Sequence, residues 1–168
     1  MKHLRVNGAR KLVNWGREGK TCENSLVQIK PSPYAALRRH GEAAYPEESC
    51  GILLGRFLDD GGPSVTAAIP CENTRLDSPK NRYAIDPKDL IRIQRDARAQ
   101  ALEVVGFYHS HPDHPAEWST TDLTEAHWLL CSYVITRVSD GIAAETRSFR
   151  LEGPEENKKF VEEPIVTE

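Results

Sequence analysis

Apolar positions from residue 27 onward follow two alternating periods, and each change of period marks a predicted element. Leu90, Ile93, Ala97 and Ala101 recur at i, i+3, i+7 and i+11, the spacing that lines one face of a helix. Asp86-Pro87 opens that helix with a capping side chain and a proline whose fixed φ suits the first helical position. Ser32-Pro33 repeats the same grammar ahead of Tyr34, Leu37 and Ala44, so a first helix is predicted from Ser32 to a stop before Pro46. Between the two helices, residues 50–57 (CGILLGRF) and 64–70 (SVTAAIP) are short apolar runs separated by Asp59-Asp60-Gly61-Gly62-Pro63, the pattern of a hairpin. Residues 103–111 (EVVGFYHSH), 131–138 (CSYVITRV) and 142–151 are predicted strands, the last two joined at Asp140-Gly141. A third helix is predicted over residues 119–130. Residues 160–166 are expected to add one edge strand, because Pro164 lacks the N–H that a central strand needs. The result is an α/β unit with a mixed sheet and about three helices.

Composition narrows the class. The 168 residues (18.9 kDa) are 39% hydrophobic and 28% charged, with net charge -3 and pI near 6.1. That excludes a disordered chain, a collagen-like repeat and a broadly basic nucleic-acid binder, and leaves one globular domain with a proper core. No stretch approaches the roughly 20 apolar residues of a membrane span, and residues 1–25 lack the apolar core of a secretory signal, so a cytoplasmic address is expected. The small net charge hides opposed ends: residues 1–25 carry six Lys/Arg and two Glu, residues 152–168 six Glu and two Lys. Residues 1–26 are therefore read as a mobile basic extension and residues 27–168 as the domain. Cys22, Cys50, Cys71 and Cys131 show no C-x-x-C spacing, so other residues must supply any metal ligands.

The chemistry gathers in His109-Ser110-His111-Pro112, six further residues, then Ser119-Thr120-Thr121-Asp122. Alternation along a strand points His109 and His111 the same way, and Pro112 holds His111 in extended backbone. A short loop returns Asp122, in the first turn of the third helix, toward the strand end. Two imidazoles and one carboxylate make three ligands and leave a fourth, open position on zinc, the pattern of a catalytic site. Each part alone has a structural reading, since paired histidines at a strand end often face solvent and Ser-x-x-Asp resembles a capping box. The combination favours a metal. His109, His111, Asp113 and His114 also spell H-x-H-x-D-H, the metallo-β-lactamase signature, but too little chain follows to supply that fold's later ligands. The one later histidine, His127, shares the apolar face of Leu123, Ala126 and Leu130 and is expected to be a half-buried packing residue.

These residues resemble the JAMM motif of the MPN+ metalloproteases: an upstream glutamate, H-x-H-P, six residues and S-x-x-D. The upstream segment is Glu47-Glu48-Ser49-Cys50-Gly51 before an apolar strand. The resemblance covers roughly residues 27–166 and implies a single MPN (JAB-like) domain with a mixed, mostly antiparallel sheet. It implies one Zn2+ per chain on His109, His111 and Asp122. Glu48 is implied as general base, with Glu47 as the fallback, and Ser119 as a donor to the oxyanion. If Ser119 also caps the helix, its hydroxyl proton is expected to remain free for that donation.

The implied activity is zinc-dependent hydrolysis of a peptide or isopeptide bond at the C-terminal Gly-Gly of a ubiquitin-like protein or sulfur carrier. Short connections leave no room for the insertions of linkage-specific deubiquitinases, so the chain resembles the compact prokaryotic type. Residues 72–82 (ENTRLDSPKNR) are a candidate groove wall, a plain surface loop being the alternative. Asp113, His114 and Glu117 lie beside the site, where solvated loop positions compete with substrate contact. The alternative functions are a non-catalytic MPN scaffold or ubiquitin-like-binding module, and a lactamase-like hydrolase. Nucleic acid and membrane are not expected partners.

Overall fold

The computed structural model describes residues 26–168; the expected basic extension lies outside them, apart from Leu26. In chain order the elements are β1 (Val27–Ile29), α1 (Pro31–Ala44), β2 (Cys50–Phe57), β3 (Pro63–Cys71), α2 (Pro87–Ala99), β4 (Glu103–Pro112), α3 (Thr120–Glu125), β5 (Ser132–Ser139), β6 (Ile142–Glu152), a 3-10 turn (Glu155–Asn157), β7 (Lys159–Glu163) and β8 (Ile165–Val166). The expected α/β class with three helices holds, as does the mixed, mostly antiparallel sheet. Among the described residues the eight strands join one sheet in the order β7-β6-β5-β4-β2-β3-β1-β8. Four pairings are antiparallel (β2/β3, β2/β4, β5/β6, β6/β7) and three parallel (β1/β3, β1/β8, β4/β5).

The two sheet edges are neighbours in sequence. Residues 160–166 do not form the single edge strand expected: they split at Pro164 into β7 at one end of the order and β8 at the other. The sheet must therefore curl until its ends adjoin, and the Val27 N–H donates to the Pro164 carbonyl (2.9 Å) across that closure. Pro164 suits the position because a residue leaving one edge for the other needs no ladder N–H.

Two apolar layers form on the two sheet faces. Ile52, Leu54, Val104, Phe107 and Tyr133 pack with Ile93 and Ala97 of α2, while Leu53, Val65, Val105, Tyr108 and Val134 pack with Leu37 of α1. A register shift opposite Leu53/Leu54 inserts an extra residue in β4. It puts Val104 and Phe107 on one face despite their odd spacing. His109, two residues beyond Phe107, consequently points to the α2 side.

Four local readings change. Helix α1 begins at Pro31 with Lys30 at the cap and no side-chain cap bond, so Ser32 is inside the first turn; the proline at N1 alone sets the start. Ala101 lies past α2, exposed, in left-handed backbone (φ 55°). Helix α3 has six residues, not twelve. Leu123, Ala126, Trp128, Leu129 and Cys131 all join the core layer beneath α2. A 3.6-residue period cannot aim five such positions one way, so the chain leaves the helix after Glu125. His127 consequently faces out, with 60% of its side chain exposed and Nδ1 3.1 Å from Glu155, and is not a packing histidine. Asp140-Gly141 turns as expected, with φ of 50° and 81°. Among the described residues no helix is long and apolar enough to cross a membrane.

Candidate active site

Strand β4 carries His109 and His111 to its C-terminal end, where they are 2% and 9% exposed and their Nε2 atoms lie 3.0 Å apart. The His111 Nδ1 is 2.9 Å from the Pro115 carbonyl. A carbonyl only accepts, so Nδ1 carries the proton and Nε2 is left facing His109. Asp122 completes the group, with Oδ1 3.4 Å from His109 Nε2 and Oδ2 3.7 Å from His111 Nε2.

The capping box brings that carboxylate back. Asp122 Oδ2 accepts from the Ser119 backbone N–H (2.6 Å), and the Ser119 Oγ accepts from the Asp122 N–H (3.1 Å). Capping and clustering are therefore one arrangement, not rival readings. The connecting loop is pinned along its length. Asp113, in left-handed backbone (φ 55°), accepts from the Tyr45 hydroxyl (2.9 Å) and the Asp140 N–H (3.0 Å); Ala116 is fully buried; Glu117 pairs with Arg147 (2.8 Å). Asp113 thus serves the loop and stands outside the ligand group, as does His127. The lactamase-like ligand set is not assembled.

The three donors fit a small divalent cation. Tetrahedral zinc with ligand distances of about 2.0–2.1 Å implies donor-to-donor edges of roughly 3.3 Å; the two Nε2 atoms are 3.0 Å apart, and the Asp122 carboxylate turns one oxygen toward each imidazole, Oδ1 at 3.4 Å and Oδ2 at 3.7 Å. Imidazole and carboxylate are also the donors zinc accepts. Among the described residues these three form the one cluster of this kind. Burial pushes the His109 imidazole down to about 4 and keeps it neutral, and its Nδ1 is buried without a hydrogen-bond partner. Burial alone would raise Asp122, but the imidazoles of His109 and His111 beside it and the Ser119 N–H and hydroxyl that donate to it outweigh this and hold the carboxyl well below its usual range.

Of the two upstream glutamates, Glu48 reaches the site and Glu47 is exposed. Glu48 is 5% exposed, with Oε1 4.0 Å from His111 Nε2, and burial raises its carboxyl to about 8. A cavity of about 330 Å³ opens beside it, lined by Glu48, Asn81, His111, His114, Pro115, Glu117 and Ser119. Residues 72–82 therefore contribute to a wall through Asn81, and His114 and Glu117 face the cavity. The expectation for the Ser119 proton changes: the hydroxyl donates to Asp122 Oδ2 at 2.7 Å and is not free.

Sequence reasoning missed several neighbours. Tyr83 stacks on His109 with ring centroids 4.6 Å apart. The Ser110 Oγ accepts from the buried Ser49 N–H (2.8 Å) and the Ser49 hydroxyl (3.1 Å), tying the residue after Glu48 to the residue between the histidines. One signal was available for this pair: alternation turns Ser110 away from the ligand face, where a small polar residue in an apolar strand needs a partner. Ser110→Ala is expected to leave the Ser49 N–H unsatisfied and to cost about 1–3 kcal/mol in chemical denaturation.

The model describing prokaryotic homologs of the JAB domain matches residues 31–152. The chain is 37% identical over 92 residues to a desampylase from Haloferax volcanii, covering 52% of this chain and 63% of that protein. It is 34% identical over 107 residues to a probable TtuB-protein conjugate cleaving protease from Thermus thermophilus, covering 64% and 66%. The chain thus spans just under two thirds of the length of both relatives. The solution structure of DSY2949 from Desulfitobacterium hafniense superposes with a TM-score of 0.71 at 26% identity, over 85% of this chain and 93% of that one. A family match across most of the domain, the shared fold and the three-ligand group agree with the motif, and the chain belongs to the prokaryotic JAB branch of the JAMM/MPN+ family.

Proposed function

We propose that residues 27–168 are a zinc-dependent hydrolase domain that cleaves a peptide or isopeptide bond after the C-terminal Gly-Gly of a ubiquitin-like protein or sulfur carrier. The observation that carries the proposal is the convergence of buried Glu48 with the His109, His111 and Asp122 group, beside a cavity that Glu48, His111 and Ser119 line. Relatives whose names describe desampylation and cleavage of TtuB-protein conjugates support the substrate class. Residues 1–26 are a separate basic extension, and the working compartment is the cytoplasm.

In this reading His109 and His111 hold one zinc through Nε2 and Asp122 through its carboxylate. Zinc, when bound, supplies Lewis-acid polarisation of the carbonyl and lowers the pKa of water to about 7. Glu48 takes the proton of the attacking water and returns it to the amine as the C–N bond breaks, which requires a carboxylate beside the ligands and not among them. Ser119 turns its hydroxyl proton from Asp122 Oδ2 toward the developing oxyanion, while Oγ keeps accepting from the Asp122 N–H. A Gly-Gly tail has no side chains. It can lie extended in the cavity that Asn81, His114, Pro115 and Glu117 line.

The test uses the purified full chain, with and without chelator. Its substrate is a ubiquitin-like sulfur carrier extended by cysteine or joined through its terminal glycine to lysine. Chelator-sensitive release of the free carrier is expected. Binding of these conjugates without turnover would instead identify a non-catalytic recognition module.

A further inference from the structure

The segment from residue 72 to residue 84 leaves β3, passes over the ends of β2 and β4, and reaches α2 without regular structure. One half-buried side chain organises it. The Asn73 Nδ2 donates to the Glu48 carbonyl (3.2 Å) and the Arg82 carbonyl (3.0 Å), and its Oδ1 accepts from the Arg75 N–H (3.0 Å) and the Ala84 N–H (3.1 Å). An asparagine amide has two donor hydrogens and two acceptor lone pairs, so every position is used and all partners are backbone. Flipping the amide would break all four bonds.

Three of those bonds, to Glu48, Arg82 and Ala84, border the site. The Glu48 carbonyl belongs to the residue whose own N–H donates to the Pro79 carbonyl (2.8 Å), so Glu48 is held through both backbone groups by this one segment. Arg82 and Ala84 flank Tyr83, and the ring between them stacks on His109. The loop also carries Asn81, which lines the cavity. Because β2 begins only at Cys50, Glu48 lies before the strand ladder, and these ties come from the covering segment.

We propose that Asn73 is a positioning residue: its amide sets the backbone of Glu48 and, by clamping the residues on either side of Tyr83, seats that ring against His109. The inference rests on the hydrolase reading for its effect on turnover, and on hydrogen bonding alone for its effect on Glu48 and His109. Two substitutions separate the donor bonds of the amide from its acceptor bonds. Asn73→Asp keeps both acceptor bonds, to Arg75 and Ala84, but sets a carboxylate oxygen against the Glu48 and Arg82 carbonyls. Asn73→Ala removes all four bonds. Thr74→Val serves as the control, since Thr74 Oγ1 bonds the Ala84 carbonyl (3.0 Å) and touches neither Glu48 nor His109.

The full-length zinc-loaded variants are assayed for kcat and KM on the conjugates above, for zinc affinity by competition with a chromogenic chelator, and for hydrogen exchange at the Glu48 amide. Asn73→Asp is expected to lower kcat about 10–100-fold, the range for outer partners of a metal site, with KM within about threefold, faster Glu48 exchange and near-native zinc affinity. Asn73→Ala is expected to match that loss and also to weaken zinc binding by about tenfold. Thr74→Val should stay within about twofold of wild type in kcat, since it leaves the Glu48 tie intact. Native exchange at Glu48 in Asn73→Asp, or an equal kcat loss in Thr74→Val, would overturn the positioning role. A wild-type chain that cleaves nothing would sink the hydrolase reading, while exchange and zinc affinity would still decide the tie.

Discussion

Glu48→Gln is expected to lower turnover by about 10²–10⁴-fold, the range associated with loss of a general acid–base group, while one zinc per chain is retained. The substitution keeps side-chain volume and polarity at a position only 5% exposed, so packing changes little. The backbone bonds to Pro79 and Asn73 are unaffected because they use the main chain. What disappears is the capacity to accept a proton from water and return it to the amine, which an amide lacks. Steady-state kinetics and metal analysis on the same sample check both halves. Activity within tenfold of wild type with zinc in place would remove Glu48 from the proton path. Glu47 could not inherit the role without rearrangement, since it is exposed.

Metal removal is expected to abolish cleavage, and the ligand residues should behave as a unit. His109→Ala, His111→Ala and Asp122→Ala should each purify without stoichiometric zinc and show no chelator-sensitive activity. A readout independent of substrate follows from linkage, because a ligand bound only by the folded state stabilises it by about 4 kcal/mol at 1,000 times its Kd. For a domain of this size that corresponds to a rise in Tm of roughly 10 °C. The wild-type chain should show this rise with zinc, and the three variants should not. Asp122→Asn is the informative intermediate: its amide oxygen can still accept from the Ser119 N–H, preserving the helix start, while the anionic ligand is lost. Zinc-induced stabilisation undiminished in Asp122→Asn would mean that the carboxylate charge is not needed for binding.

Legibility from sequence differed between the parts of the site for a physical reason. His109, His111, Ser119 and Asp122 lie within fourteen residues of one another, and strand alternation plus a capping box are local rules that place side chains without knowledge of the rest of the chain. Glu48 became visible only through its resemblance to a family segment, because sixty residues separate it from His109 and only the β2/β4 ladder, with Cys50 opposite His109, brings them together. Asn73 was legible only as one position of the candidate wall at residues 72–82, and Tyr83 lies just beyond it. An asparagine after a strand reads as a turn residue, and its four backbone partners are set by how an irregular segment folds over the sheet. The overlong third helix failed for a related reason: residues 126–131 meet the core one by one in extended form, and tertiary contact overrode local periodicity.

Charge and composition also pointed to less than the fold uses. Among the described residues Glu163 is 4% exposed and accepts from the Ser132 hydroxyl (2.5 Å) and the Ser148 hydroxyl (2.9 Å) at the sheet closure. In sequence it is one of six glutamates in an acidic tail.

The amino-acid sequence by itself determined the element types, the single-domain class, the grouping of His109, His111 and Asp122 and the cap that returns Asp122, because each depends on neighbours a few residues away. The tertiary structure alone decided that the sheet's edges meet at Pro164, that Glu48 and not Glu47 enters the site, that the Ser119 proton is held by Asp122, and that Asn73 ties the covering loop to Glu48. Those outcomes depend on groups distant in the chain competing for the same hydrogen-bonding and packing positions, and only the folded arrangement shows which of them wins.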